Sequence, residues 1–186
     1  MDYPILKSEA EQKTAQTLEV LQNEFAGLRT GRASVHLLDS IKVPVYGSEM
    51  PLNQVATVST PDTQTLSVTV WDINNAPAVE KAIRDSGLGL NPNTAGGVIR
   101  LNLPPLTEER RRELTKVAGK YAEEAKISMR NIRQDVMGKI KRAVTDKEIS
   151  EDDQHKYEED IQKVFENRAN EVDAMLKQKE TDIMSI

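Results

Sequence analysis

TEERRRELTKVAGKYAEEAKISMRNIRQDVMGKIKRAV, residues 107–144, reads as one long helix with an apolar face and a basic face. Leu114, Ala118, Tyr121, Ala125, Met129, Ile132, Val136, Ile140 and Ala143 recur at spacings of three and four, the period that lines one side of a helix. Thr107 can cap its start, and Glu108 and Glu109 in the first turn complement the helix dipole. At ~1.5 Å per residue such a helix runs roughly 55–60 Å. A rod with one apolar stripe is not stable alone and needs other helices against it.

Two further segments can supply them. Leu6, Ala10, Thr14, Leu18, Leu21, Phe25 and Leu28 form a stripe near the start, with Gly31 as the expected C-terminal cap. Ile161, Phe165, Val172, Leu176 and Ile183 form another near the end, with Val164 and Met175 beside them and Ser150 and Asp153 as the expected N-cap pair. The spacing predicts an antiparallel three-helix bundle. Gly119 and Gly138 inside the long helix each cost about 1 kcal/mol relative to alanine, with no packing reason visible in the sequence.

Residues between these helices follow a different period. IKVPVY, QVATVST, TLSVTVWD and VIRLNL are short β-branched runs bounded by Gly, Pro, Asn and Asp, and PAVEKAIRDSG is a short amphipathic helix ending at Gly87. The fold class is therefore α+β: a discontinuous helical domain, 1–30 with 106–186, carrying an inserted β/α/β domain at 31–105. The chain crosses between them near Arg29–Ser34 and Leu103–Leu106. Thr30, Gly31, Ser34, Pro104 and Pro105 are the expected hinge positions, and the two prolines stiffen one crossing.

Composition removes several classes of function. The chain has no cysteine, which excludes disulfides and thiolate chemistry, and its opening residues carry no basic-then-apolar leader pattern. No apolar run approaches the ~18 residues of a membrane span, so the cytoplasm is expected. GxxxxGK[ST], GxSxG and HExxH are absent, and the glycines of GLGLNPNTAGG read as turn residues. His36 and His155 lack a nucleophile partner. Asp152, His155 and Glu159 share a helical face that reads as solvated rather than metal-binding. No catalytic site, metal or cofactor is expected, and the chain reads as a monomer.

Charge is distributed unevenly. The whole chain carries −5, yet Arg110–Ala143 holds eleven bases against four acids, and Asp146–Ile186 holds six bases against thirteen acids. At 100° per residue, Arg112, Lys126, Arg130, Arg133 and Lys141 share a sector about 120° from the apolar stripe, broken only by Glu123. Guanidinium matches phosphate in a bidentate fork. Without an aromatic ladder nearby, backbone and shape recognition of folded RNA is expected rather than base stacking. An ordinary solvated face is the alternative, as in a coiled-coil adaptor that binds proteins and never touches RNA.

LRTGRAS at 28–34, SGLGLNPN at 86–93, LPPLTEERRREL at 103–114, RNIRQD at 130–135 and DKEISEDD at 146–153 resemble the bacterial ribosome recycling factor family, nearly end to end and in order. The resemblance implies a three-helix bundle with an inserted β/α/β domain, hinged into an L shape. It also implies a non-enzymatic translation factor that binds the post-termination ribosome. With the GTPase elongation factor G, such a factor splits the ribosome into subunits, freeing messenger and deacylated tRNA. By motif position, Arg130 and Arg133 are the implied contacts to large-subunit rRNA, with Arg110, Arg29 and Arg32 next. Val35 and Gln134 depart from the pattern, standing where many relatives have proline and some have arginine.

Overall fold

A computed structural model describes residues 1–185. Four α-helices and six strands follow in the order α1 (Tyr3–Ala26), β1 (Lys42–Val45), β2 (Ser48–Pro51), β3 (Ala56–Asp62), β4 (Thr65–Val70), α2 (Ala76–Arg84), β5 (Pro92–Ala95), β6 (Val98–Asn102), α3 (Glu108–Thr145) and α4 (Glu151–Met184). They divide into two units. One holds Met1–Phe25 and Thr115–Thr181, and the other holds Ala26–Leu114 with the chain end from Asp182. No helix among the described residues is long and apolar enough to cross a membrane.

In the helical unit, α3 spans 38 residues, about 57 Å, with bounds within a residue of those expected. Thr107 Oγ1 accepts from Arg110 N at 3.1 Å, and Ser150 Oγ accepts from Asp153 N at 3.0 Å, so both expected caps form. The turn between α3 and α4 closes through Glu148 N donating to Ala143 O at 2.8 Å and Lys147 N to Val144 O at 3.0 Å. Lys147 sits there at φ +56°, the left-handed position usually given to glycine. α4 therefore runs back along α3. α1 runs parallel to α4, because Lys7 Nζ meets Asp160 at 3.0 Å and Arg168 Nε donates to Thr14 Oγ1 at 3.1 Å farther along both helices.

Leu21, Ala118, Ile140, Ile161 and Val172 are fully buried, with Phe25, Met129 and Phe165 nearly so. Ala122 joins this core, while Tyr121 and Ile132 of the expected stripe remain half-exposed. At the open end of α1, Tyr3 stacks on Tyr157 with ring centres 3.9 Å apart, and its hydroxyl donates to Asp160. Burial and the Asp160 carboxylate push the Tyr3 phenol well above its ordinary range. Hydrogen bonds from Tyr3 and Lys7 hold Asp160 below the usual carboxylate range. α1 ends at Ala26, before Gly27, so Leu28 lies outside the helix and Gly31 is not its cap. A Cβ at Gly119 or Gly138 would meet nothing within 4 Å, so packing explains neither glycine.

The other unit pairs β3, β4, β6 and β5 in one antiparallel sheet, with β1 and β2 forming a separate hairpin. Leu66, Val68, Ile99 and Leu101 alternate onto one face and pack with Val79 and Ile83 of α2 and Val43 of β1. β2 and β5 were not expected. Gly87, Gly89 and Gly96 have positive φ, as turns require, yet Pro92–Ala95 between them forms an edge strand. Ala33 N donates to Thr63 O at 2.7 Å and Leu103 N to Gln64 O at 2.8 Å, so the β3–β4 turn holds both ends of the insert. Trp71, just past β4, is well exposed, and its Nε1 donates to Thr57 Oγ1 at 2.8 Å.

A third passage of the chain enters this unit at Asp182. Gly31 N donates to Asp182 O at 3.4 Å, and Arg111 Nη1 donates to Ile183 O at 3.0 Å and to Ser185 O. A Cβ on Gly31 would collide with the Ser185 carbonyl, which is the physical need for glycine at that position. Gln64 Nε2 donates to Gly31 O at 3.2 Å, Thr30 Oγ1 accepts from Arg32 N at 3.3 Å, and Ser34 Oγ accepts from His36 N at 3.2 Å. Of the expected hinge residues, Thr30, Gly31 and Ser34 thus lie in a hydrogen-bonded cluster within the sheet unit, which also holds Pro104 and Pro105.

Candidate nucleic-acid interface

Helical spacing puts Lys126, Met129, Arg130 and Arg133 on neighbouring turns of α3, and α4 completes a groove of about 250 Å³ beside them. Met129 and Phe165 form its apolar floor, and Lys126, Arg130 and Arg133 supply its basic rim. The three bases differ in how they are held. Lys126 Nζ pairs with Asp173 Oδ1 of α4 at 2.5 Å. Arg130 Nη2 pairs with Glu123 Oε1, seven residues back along α3, at 3.4 Å. Arg133 is half-buried and has no hydrogen-bond or ion-pair partner among the described residues. Its charge is therefore available to an outside anion.

The groove continues into a more acidic one of about 630 Å³, where Glu158, Glu159 and Glu166 face His155 and Lys163. Gln162 and Glu166 line both. The Arg130–Arg133 end is thus the more favourable of the two for an anion.

The remaining arginines named from the sequence belong to the sheet unit. Arg110 is exposed and pairs with Glu113 at 2.8 Å, and Arg112 is exposed and pairs with Glu108 at 2.7 Å. Arg32 is exposed and carries no side-chain ion pair among the described residues. Arg29 is placed differently. Its Nη2 donates to Pro104 O, tying the two crossings together, while its Nε is buried without a partner among the described residues. Burial, then the neighbouring Arg111 charge, lowers the pKa of this guanidinium. Arg29 has fewer donors to offer a phosphate than Arg32 does.

His36 pairs with Asp39 at 3.0 Å and His155 with Glu159 at 3.4 Å, both on exposed surface. Among the described residues no group of three His, Cys, Asp or Glu side chains is placed to hold a metal ion.

The chain matches the family model for the ribosome recycling factor over residues 21–184. It is 50% identical over 186 residues to a ribosome-recycling factor of Rickettsia africae, covering 100% of each chain. It is 53% identical over 180 residues to one of Hyphomonas neptunium, covering 97% of this chain and 98% of the other. A solution structure of the ribosome recycling factor superposes with a TM-score of 0.79 at 42% identity, covering 100% of this chain and 99% of that one. A second structure, of the T. thermophilus ribosome recycling factor, comes from models of that factor and E. coli elongation factor G bound to the E. coli post-termination complex. It superposes with a TM-score of 0.71 at 44% identity, with 100% of both chains covered.

Proposed function

The chain belongs to the ribosome recycling factor family, and from that premise we infer what it does. It binds the post-termination ribosome and, with the GTPase elongation factor G, splits it into subunits, so that messenger RNA and deacylated tRNA are released. The observation that carries this is similarity along the whole chain, helical and sheet units alike, to a factor seen on the post-termination complex with elongation factor G. The protein acts in the cytoplasm as a translation factor. It catalyses no covalent step, since the hydrolysis that drives splitting belongs to its GTPase partner.

Within this reading the α3–α4 groove is the surface for the large-subunit rRNA. Arg133 meets a backbone phosphate directly, and Arg130 and Lys126 reach neighbouring phosphates after leaving their carboxylates. Arg110 and Arg32 add contacts from the sheet unit, and Arg29 chiefly holds the crossing in place. Motion delivered by the partner factor must pass through the chain connections. The rotations that absorb it are assigned to Thr30, Gly31 and Ser34 on one crossing and to the residues flanking Pro104 and Pro105 on another, while the third passage, at Asp182, runs inside α4.

Ribosome pelleting across a salt series tests the reading. With about four phosphate contacts, log affinity falls against log salt with a slope near three, taking roughly 0.7–0.9 per contact. An affinity insensitive to salt removes the phosphate contacts from the account. A protein-binding adaptor that avoids RNA would not pellet with ribosomes at any salt.

A further inference from the structure

We propose that Glu123 and Asp173 are internal stand-ins for phosphate that set the selectivity of the groove. In the free protein they occupy Arg130 and Lys126 and leave Arg133 as the one of the three without a partner among the described residues. This deepens the functional reading above and rests on it.

Geometry carries the argument. Between Arg112 and Lys141, Glu123 is the one acid in the basic sector of α3, and it is used there, drawing the Arg130 guanidinium two turns back along the helix. Asp173 comes from the other wall, so the Lys126 pair spans the groove between α3 and α4. With Glu166 also lining the groove, three cations face three carboxylates, and the rim carries little net charge while the pairs hold. Both carboxylate side chains are more than half exposed, at 57% and 58%, so each pair is screened by water and exchanges readily. Such pairs shift an equilibrium by up to about fivefold each, too little to lock the groove and enough to bias it.

The bias acts unequally on two kinds of RNA. A flexible single strand binds through whichever cations are open, so at this groove it engages Arg133 and gains little from displacing two carboxylates. A folded rRNA surface holds its phosphates in fixed positions, and binding places them opposite all three bases at once. Only the second ligand makes full exchange of carboxylate for phosphate worthwhile. An acidic chain with a basic groove thereby avoids being titrated by messenger RNA.

The double variant Glu123→Gln, Asp173→Asn removes both charges with little change in shape. Its binding to poly(U) of fixed length, and separately to ribosomes, is measured across a salt series. On poly(U), two newly open cations steepen the slope by about 1.4 and raise affinity roughly twentyfold at ~0.1 M salt. On ribosomes the slope stays that of the natural chain, because the same phosphate contacts form. A control, Glu9→Gln with Glu19→Gln, removes the same charge from exposed positions of α1. Unchanged poly(U) binding by the double variant overturns the proposal, and so does an equal gain by the control. Failure of the natural chain to pellet with ribosomes would instead overturn the functional reading itself.

Discussion

With Arg133 replaced by alanine, ribosome affinity falls about five- to 150-fold at fixed salt, while the melting temperature stays within a degree or two. The loss corresponds to about 1–3 kcal/mol, which takes in the ~1.5–3 kcal/mol of a hydrogen bond to a charged group. Stability is spared because Arg133 has no hydrogen-bond or ion-pair partner to lose among the described residues, and alanine suits a helix at least as well as arginine. Arg130→Ala should cost less, since part of what it loses is the exchange away from Glu123. Pelleting assays read the affinities and calorimetry the stability. A melting temperature that dropped sharply in Arg133→Ala would make this side chain structural, and its assignment to rRNA would fail.

Ile161→Ala produces the largest change in stability, about 2–5 kcal/mol. Ile161 is fully buried where α4 meets the rest of the helical core, and alanine leaves a cavity that packed helices fill only in part. For a unit of this size that corresponds to a fall in melting temperature of roughly 10–30 °C. The helical circular dichroism signal follows it directly. A loss below about 1 kcal/mol would mean that the α4 stripe is not part of a packed core. Ribosome binding by the folded fraction should be unchanged, because Ile161 does not line the basic groove.

The long helix was legible almost to the residue because three signals agree there: the apolar period, the Thr107 cap and the acidic first turn. Ala122 was missed because Tyr121 beside it is the larger residue and was read as the stripe position of that turn, whereas Ala122 is the one buried. β2 and β5 were missed for another reason. Ser48–Pro51 pairs only with β1 and Pro92–Ala95 only with β6, so backbone hydrogen bonds rather than buried side chains hold these edges. The co-location of Arg130 and Arg133 followed from helical geometry alone. Pairing of Lys126 with Asp173 did not, because it depends on how α4 registers against α3, 47 residues farther along the chain. Arg29 looked like its neighbours in sequence, and only the fold turns it toward Pro104.

The two hydrogen bonds that fasten Ala33 and Leu103 to the β3–β4 turn also bear on how the chain folds. α1 must find α3 and α4 across residues 27–107, and its contacts Tyr3–Asp160 and Thr14–Arg168 span more than 150 positions. Pairings that distant are slow, because the intervening chain loses entropy before any contact repays it. The insert is built almost wholly from neighbouring strands and can form first. Once formed, it gathers its own ends at one turn and leaves only about a dozen free residues between α1 and α3. On the logarithmic dependence of loop entropy this lowers the closure cost by about 1.5–2 kcal/mol. A weakened insert would therefore delay docking of α1 without touching the bundle's own contacts, and the single tryptophan, Trp71, would report the earlier event.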